Sequence, residues 1–262
     1  MKLRDISALA YRGLIMARHP EAIGLRRRGI DYEHYRNLRR PWLLDAGIRT
    51  ILDIGANTGQ FARLAHEVFP GAAIYSFEPL PDCFETLKTA LPAGSDFHPI
   101  NCALGREEGT LEFRRALHTP SSSFLKMTKL HEESFPESAG GQEGRTLSVA
   151  VRTLDGVAAG LPLRENILLK IDVQGYEANV LAGGGATVRR AVAVIMETSF
   201  RRLYEGQPLF DDIYATMRGL GFDFQGNMEQ MVSPADGRVV QADSIFVRRD
   251  AAYSGIHPDA TP

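Results

Sequence analysis

A doubly wound α/β domain is the fold that this sequence predicts, and three observations predict it. From residue 50 onward, short apolar runs alternate with helical stretches over some 200 residues, the pattern of a parallel sheet covered on both faces. The first of those runs ends in an acid and turns through two glycines into a helix, in Asp53-Ile54-Gly55-Ala56-Asn57-Thr58-Gly59. A chain of 262 residues, 44% hydrophobic and 24% charged, suffices for a sizeable core and excludes disordered, collagen-like and coiled-coil classes.

The elements follow in order. Thr50 to Ile54 reads as a buried strand and Gly59 to Phe69 as the helix behind it. Ala72 to Phe77 is a second strand, Pro81 to Ala90 a helix, and Phe97 to Cys102 a third strand. Ile167 to Ile171 and Ala191 to Met196 are the fourth and fifth, with a helix at Tyr176 to Leu181 between them. Asp211 to Leu220 is helical, and Phe222 to Gln225 and Ser244 to Val247 supply the last two strands. Leu111 to Arg114 and Leu147 to Val151 read as extra, more polar strands. Between them Leu117 to Arg145 is rich in Ser, Glu, Gly and His without a clear period, the composition of a substrate lid. Its His118 and His131 read as solvated surface residues, and the tail from Asp250 to Pro262 as loose.

Charge is uneven. Residues 1–49 carry 11 Lys/Arg against 5 Asp/Glu, whereas the whole chain has a formal charge of −2. Ile6, Leu9, Ala10, Gly13, Leu14 and Ala17 recur at helical spacing, and Arg26, Arg27, Arg28, Arg36, Arg39 and Arg40 supply most of the charge. The favoured reading is an amphipathic helical extension packed on the main domain with a solvated basic face. The sharper one is a peripheral contact for an anionic substrate, a lipid headgroup or a lipid-linked glycan. The overall balance excludes a global field that recruits nucleic acid. Cys83 and Cys102 make neither a disulfide framework nor a zinc site. Charged residues interrupt the first 20 positions, against a signal peptide, and no run approaches ~18 apolar residues, against a membrane span. A reduced, soluble, cytoplasmic protein is expected; whether it forms a homo-oligomer stays open.

The glycine turn carries the chemistry. Gly55 lets the backbone approach a ligand, and Gly59 opens a helix at the crevice beyond the strand ends, where α/β sheets bind ligands. A dinucleotide site wants G-x-G-x-x-G; the spacing here is G-x-x-x-G, and Asp53 repels a pyrophosphate. A ligand with a cationic centre fits better. Glu78, nineteen residues after Gly59 and ahead of Pro79, is placed to accept from both hydroxyls of a ribose. Together they indicate a nucleoside with a positive substituent, and S-adenosylmethionine is the common metabolite that fits. An NAD(P)-dependent oxidoreductase and a non-catalytic cofactor-binding scaffold are the alternatives.

The order DIGANTGQF, FEP, Asn101-Cys102-Ala103-Leu104-Gly105, Thr153-Leu154-Asp155, the run Leu169-Lys170-Ile171-Asp172-Val173-Gln174-Gly175-Tyr176-Glu177, Val194 to Glu197 and Gly219 to Phe222 resembles the FkbM-type methyltransferases over about residues 50–248. The resemblance implies a class I Rossmann-like methyltransferase fold: a mostly parallel seven-stranded sheet with a final antiparallel strand. It also implies methyl transfer from S-adenosylmethionine, usually to a hydroxyl of a sugar, polysaccharide or natural product. By matched position, Asp53, Gly55, Asn57, Thr58 and Gly59 line the methionine end, Glu78 and Pro79 the ribose, and the Asn101-to-Leu104 segment with Ala103 the adenine. Phe61 is expected in the core beneath the loop.

Asp172 follows the fourth strand beside Asp53, so it borders the cofactor and is the expected catalytic group. Methylation of an oxygen requires loss of its proton, and a carboxylate within ~3 Å of the hydroxyl can take it. Glu177 and Glu197 are further catalytic candidates, with helix-terminus stabilisation the competing role for Glu177 and turn capping for Asp172. His98 is an alternative base. Magnesium held by strand-end acids is not predicted, because Glu197 is followed by Thr198 and Ser199 rather than by a second acid.

Overall fold

The computed structural model describes residues 18–116, 121–135 and 146–249. Its main sheet has seven strands: β1 (Thr50–Ile54), β2 (Ala73–Phe77), β3 (Phe97–Ile100), β7 (Ile167–Ile171), β8 (Ala191–Ser199), β9 (Phe222–Val232) and β10 (Val239–Arg248). They lie in the order β3-β2-β1-β7-β8-β10-β9. Every pairing is parallel except those of β10, which runs antiparallel to both β8 and β9. This is the Rossmann-like sheet with a reversed final strand.

Both faces are covered, as near-continuous apolar strands require. One face packs against α1 (Glu21–Arg27), α2 (Tyr32–Leu38), α3 (Pro41–Asp45) and α4 (Gln60–Val68), through Leu25, Leu38, Leu43 and Ala62 onto Ile51, Ile74, Leu168, Ile195 and Ile245. Each fully buried leucine contributes about 2 kcal/mol. Asp31 caps α2 by accepting from the Glu33 and His34 amides. The basic leader, from residue 18 on, is therefore a packed helical layer; its expected helix at Ile6 to Ala17 lies outside the described residues. The opposite face packs against α7 (Leu154–Ala158), α8 (Glu177–Ala182), α9 (Gly185–Arg190) and α10 (Phe210–Gly219).

The extra strands form a separate sheet. β4 (Ala103–Leu104), β5 (Gly109–Arg114) and β6 (Thr146–Arg152) assemble in the order β4-β6-β5, and α5 (Pro81–Leu87) leans on it through Cys83. The third main strand ends at Ile100 because the chain leaves the main sheet through Asn101 and Cys102 and enters this smaller one. Sequence patterning also missed α7 and α9, each of a single turn or little more. Thr153 caps α7, and Asp155 takes the Ala186 and Thr187 amides that open α9.

The segment read as unpatterned contains a helix, α6 (Lys129–Ser134), capped by Thr128. Met127 and Ala116 share a small core with Leu203 and Tyr204, and the Thr128 amide donates to the Leu203 carbonyl. His131 corrects the expectation of a surface histidine: it is buried, edge-on to Phe135 and Tyr204. His118, the rest of the lid stretch and the C-terminal tail from Asp250 lie outside the described residues. No helix among the described residues is long and apolar enough to cross a membrane.

Candidate active site

The glycine turn after β1 is folded around two constraints. Gly55 has φ +84°, and a Cβ there would fall onto the backbone carbonyl of Asp172. Only glycine lets these two strand ends come together. Asn57 also takes positive φ, 49°, which asparagine tolerates better than most residues. The turn is then fixed from β2: Glu78 Oε2 accepts from the Asn57 amide at 2.9 Å, and Oε1 from the Leu80 amide at 2.8 Å. Burial pushes the Glu78 carboxyl up to about 7 despite those two amides. Asn101 Nδ2 donates to the Glu78 carbonyl at 2.7 Å, bracing the same loop from β3.

A polar row crosses one face of the sheet. Strand register sets Asp53 beside Ser76 on one side and Lys170 on the other, and Asp243 beside both Glu197 and Glu229. Side chains alternate in strands, so Ile51, Leu168, Ile195 and Ile245 put these polar neighbours two positions along on the α1–α4 face. Asp53 is buried and accepts from Ser76 Oγ at 3.0 Å; burial raises it to about 6, an effect that Lys170 opposes. Lys170 is itself buried, which lowers an ammonium, yet Asp172, Asp243 and Glu197 together hold it above its ordinary value.

Asp172 stands at the centre of a hydrogen-bonded cluster. Lys170 Nζ donates to its Oδ2 at 3.0 Å and Gln174 Nε2 to its Oδ1 at 2.7 Å. The same Gln174 nitrogen donates to Glu197 Oε1 at 2.8 Å, and Gln174 Oε1 accepts from the Tyr204 hydroxyl at 2.9 Å. Ser123 Oγ donates to the Gln174 carbonyl at 2.6 Å, so the segment around 121–125 is tied to this turn. Burial, then the nearby Asp172 and Glu177 carboxylates, raise Glu197 well above the usual carboxyl range. Its Oε2 is buried with no partner among the described residues.

Three cavities meet here. A narrow cleft of about 50 Å³ runs between Gly55, Asn57 and Glu78 and an apolar wall that includes Ala103, Phe113 and Phe124. A larger cavity of about 420 Å³ lies between the polar row and the leader helices, reached by Asp31 and His34 from one side and Asp53 and Phe61 from the other. A trench of about 350 Å³ is walled by Asp172, Glu197, Glu229, Gln241 and Asp243. Asp172 lines all three.

Asp53, Gly55, Asn57, Glu78, Pro79, Ala103, Asp172 and Glu197 are thus brought to one crevice. Thr58, Gly59 and Asn101 line none of these cavities and shape the loops instead: the Thr58 carbonyl accepts from Arg63, and Gly59 caps α4. Glu177 lies beneath the turn, 2% exposed, its Oε1 accepting from the Val173 and Gly175 amides at 3.1 and 3.0 Å. Phe61 packs against the core as expected, but it is half-buried and also lines the larger cavity. Lys170, Gln174, Tyr204 and Asp243 were missed as site residues. A lone lysine in the apolar strand Ile167–Ile171 was the signal for the first, and the place of Gln174 in the run after Asp172 for the second; long-range pairing left none for Tyr204 and Asp243. Among the described residues no group of three or more His, Cys, Asp or Glu is arranged to hold a metal ion.

The sequence pattern of the methyltransferase FkbM domain matches residues 53–224. The chain belongs to the FkbM methyltransferase family. The match begins at Asp53 and takes in the glycine turn, Glu78, Asp172 and Glu197; the leader helices stand outside it. Relatives in this family's company include the 2-O-methyltransferase NoeI of Sinorhizobium fredii, 29% identical over 171 residues, covering 63% of this chain and 69% of that protein. Methyltransferase sdnD of Sordaria araneosa is 31% identical over 194 residues, covering 66% of this chain and 73% of its own. Among solved structures, the FkbM methyltransferase from Methylobacillus flagellatus aligns with a TM-score of 0.45 and 12% identity over 81% of this chain and 49% of that one.

Proposed function

We propose that this FkbM-family protein is an S-adenosylmethionine-dependent O-methyltransferase. The observation that carries the reading is the position of Asp172, at the junction of the cleft, the larger cavity and the trench. That is where a base must stand if donor and acceptor enter from opposite sides. The donor side fits the cofactor's chemistry. Asn57 Oδ1 is a buried acceptor with no partner among the described residues, on the wall common to cleft and cavity. Glu78 keeps spare lone pairs for ribose hydroxyls, and Phe113 and Phe124 offer an apolar slot for a purine. Asp53 and Asp243 give the larger cavity acidic walls suited to a sulfonium and an ammonium, and the Lys170 cation there is paired with Asp172.

When bound, S-adenosylmethionine supplies a methyl group already activated by a positively charged sulfur. Asp172 would accept the acceptor hydroxyl's proton as that oxygen takes the methyl group, the donor departing as a neutral thioether. Lys170 and Gln174 hold the Asp172 carboxylate in place, and the enzyme's remaining contribution is alignment. Glu177 serves the reaction by fixing the turn that carries Asp172 and Gln174. Glu197 lies on the acceptor side.

Incubation with methyl-labelled S-adenosylmethionine and a panel of glycans and hydroxylated metabolites tests the reading. Label is expected on an acceptor oxygen. A protein that ignores S-adenosylmethionine in calorimetry, or that methylates only nitrogen or carbon, would overturn it.

A further inference from the structure

The trench holds two buried polar groups that the fold leaves unanswered. Glu197 Oε2 and Gln241 Nε2 both lack a partner among the described residues, in residues 8% and 3% exposed. Both residues line the trench, on adjacent antiparallel strands. A buried polar atom without a partner costs about 1–3 kcal/mol, so a ligand that satisfies both recovers that cost on binding. One group is a carboxyl oxygen and the other an amide donor. A hydroxyl both gives and accepts a hydrogen bond, so it suits either group of the pair.

The charge of the walls narrows the choice. Asp172, Glu197, Glu229 and Asp243 line the trench with Gln230 and Gln241, and none of the lining residues is basic. Lys170 is committed to Asp172, and His34 Nε2 lies 2.6 Å from Glu229. A phosphate or carboxylate entering here meets an acidic wall with no basic lining residue free to pair with it. Asp172 Oδ1 and Glu197 Oε1 share one Gln174 nitrogen, at 2.7 and 2.8 Å, which sets the two acids side by side.

Resting on the methyltransferase reading and extending it to the acceptor, we propose that the trench seats an uncharged polyol by two neighbouring hydroxyls. One hydroxyl lies against Asp172 and is methylated; the next is held between Glu197 Oε2 and Gln241 Nε2. The same walls exclude phosphorylated and uronic acceptors. Selectivity of this kind comes as much from repelling the wrong ligand as from binding the right one.

The test uses the full chain with three matched probes: a neutral methyl hexoside, its 6-phosphate and the corresponding uronate. Binding is read by saturation-transfer NMR with and without S-adenosylhomocysteine, whose own binding is measured separately by calorimetry. The neutral hexoside is expected to bind at least tenfold more tightly than either anion. Gln241→Leu and Glu197→Gln are each expected to weaken it about tenfold, with S-adenosylhomocysteine affinity unchanged and the melting temperature of the free protein not lowered. Equal or tighter binding of an anion, failure of all three probes, or full hexoside affinity in both variants would overturn the proposal. Loss of S-adenosylhomocysteine binding in the parent protein instead indicts the methyltransferase reading, because hexoside binding is also read without it.

Discussion

Gly55 and Asp172 meet through their backbones: the side chain that Gly55 lacks would occupy the carbonyl oxygen of Asp172. The Asp172 amide in turn donates to the Ile54 carbonyl at 3.0 Å. The loop assigned to the methyl donor and the turn bearing the proposed base are therefore one packed unit. Gly55→Ala must both displace that carbonyl and strain a φ of +84°. It is expected to cost about 2–4 kcal/mol of stability and abolish donor binding. Urea denaturation and calorimetry check this; a stable variant with normal donor affinity would separate the two loops.

Ionisation of Glu78 and Asp53 ties the site to pH. Their carboxyls stand at about 7 and about 6 in the folded protein, each raised mainly by burial. In the unfolded chain both titrate near ~4. The folded state then holds the extra protons, so the stabilisation they confer is full below ~4 and is lost as pH climbs through about 6 and about 7. Donor affinity has the opposite sign, since the ionised acids bind ribose hydroxyls and cationic groups. Without ligand the melting temperature is expected to fall across this window while S-adenosylmethionine affinity rises. In Glu78→Gln the upper part of both trends should vanish.

Replacing the base leaves the donor side nearly intact. Asp172→Asn keeps the shape, and the Gln174 contact can still form. Turnover is expected to drop about 10²–10⁴-fold, with S-adenosylmethionine affinity within about threefold. Single-turnover rates with isotope-labelled donor decide it, and parental turnover would remove Asp172 from its assigned role.

Glu177 supports the turn rather than touching the reactants. Its Oε1 answers the Val173 and Gly175 amides, so Glu177→Ala leaves two buried donors unpaired and is expected to cost about 2–4 kcal/mol. Glu177→Gln retains an acceptor oxygen and should lose far less. Denaturant midpoints of the two variants check the order; equal losses would point to packing rather than these bonds.

Much of this was legible in the chain itself. Apolar runs and glycine turns marked all seven strands of the main sheet, and Asp53, Gly55, Glu78 and Asp172 could be named because each sits at or just past a strand end. Strand-end position is a local property that period and turn chemistry encode. Contacts between distant segments are not local. Only register across the sheet sets Lys170 beside Asp53 and Asp243 beside Glu197. Only packing brings Tyr204 to Gln174 and His34 to Glu229. The polar strands β9 and β10 ran longer than their apolar cores suggested, because a neighbouring strand satisfies their backbone whatever their side chains are. Sequence marked the acids and glycines that stand at the strand ends; the tertiary structure decided which residues meet at the crevice and which of them share a charge or a wall, since those relations depend on distances that no spacing along the chain contains.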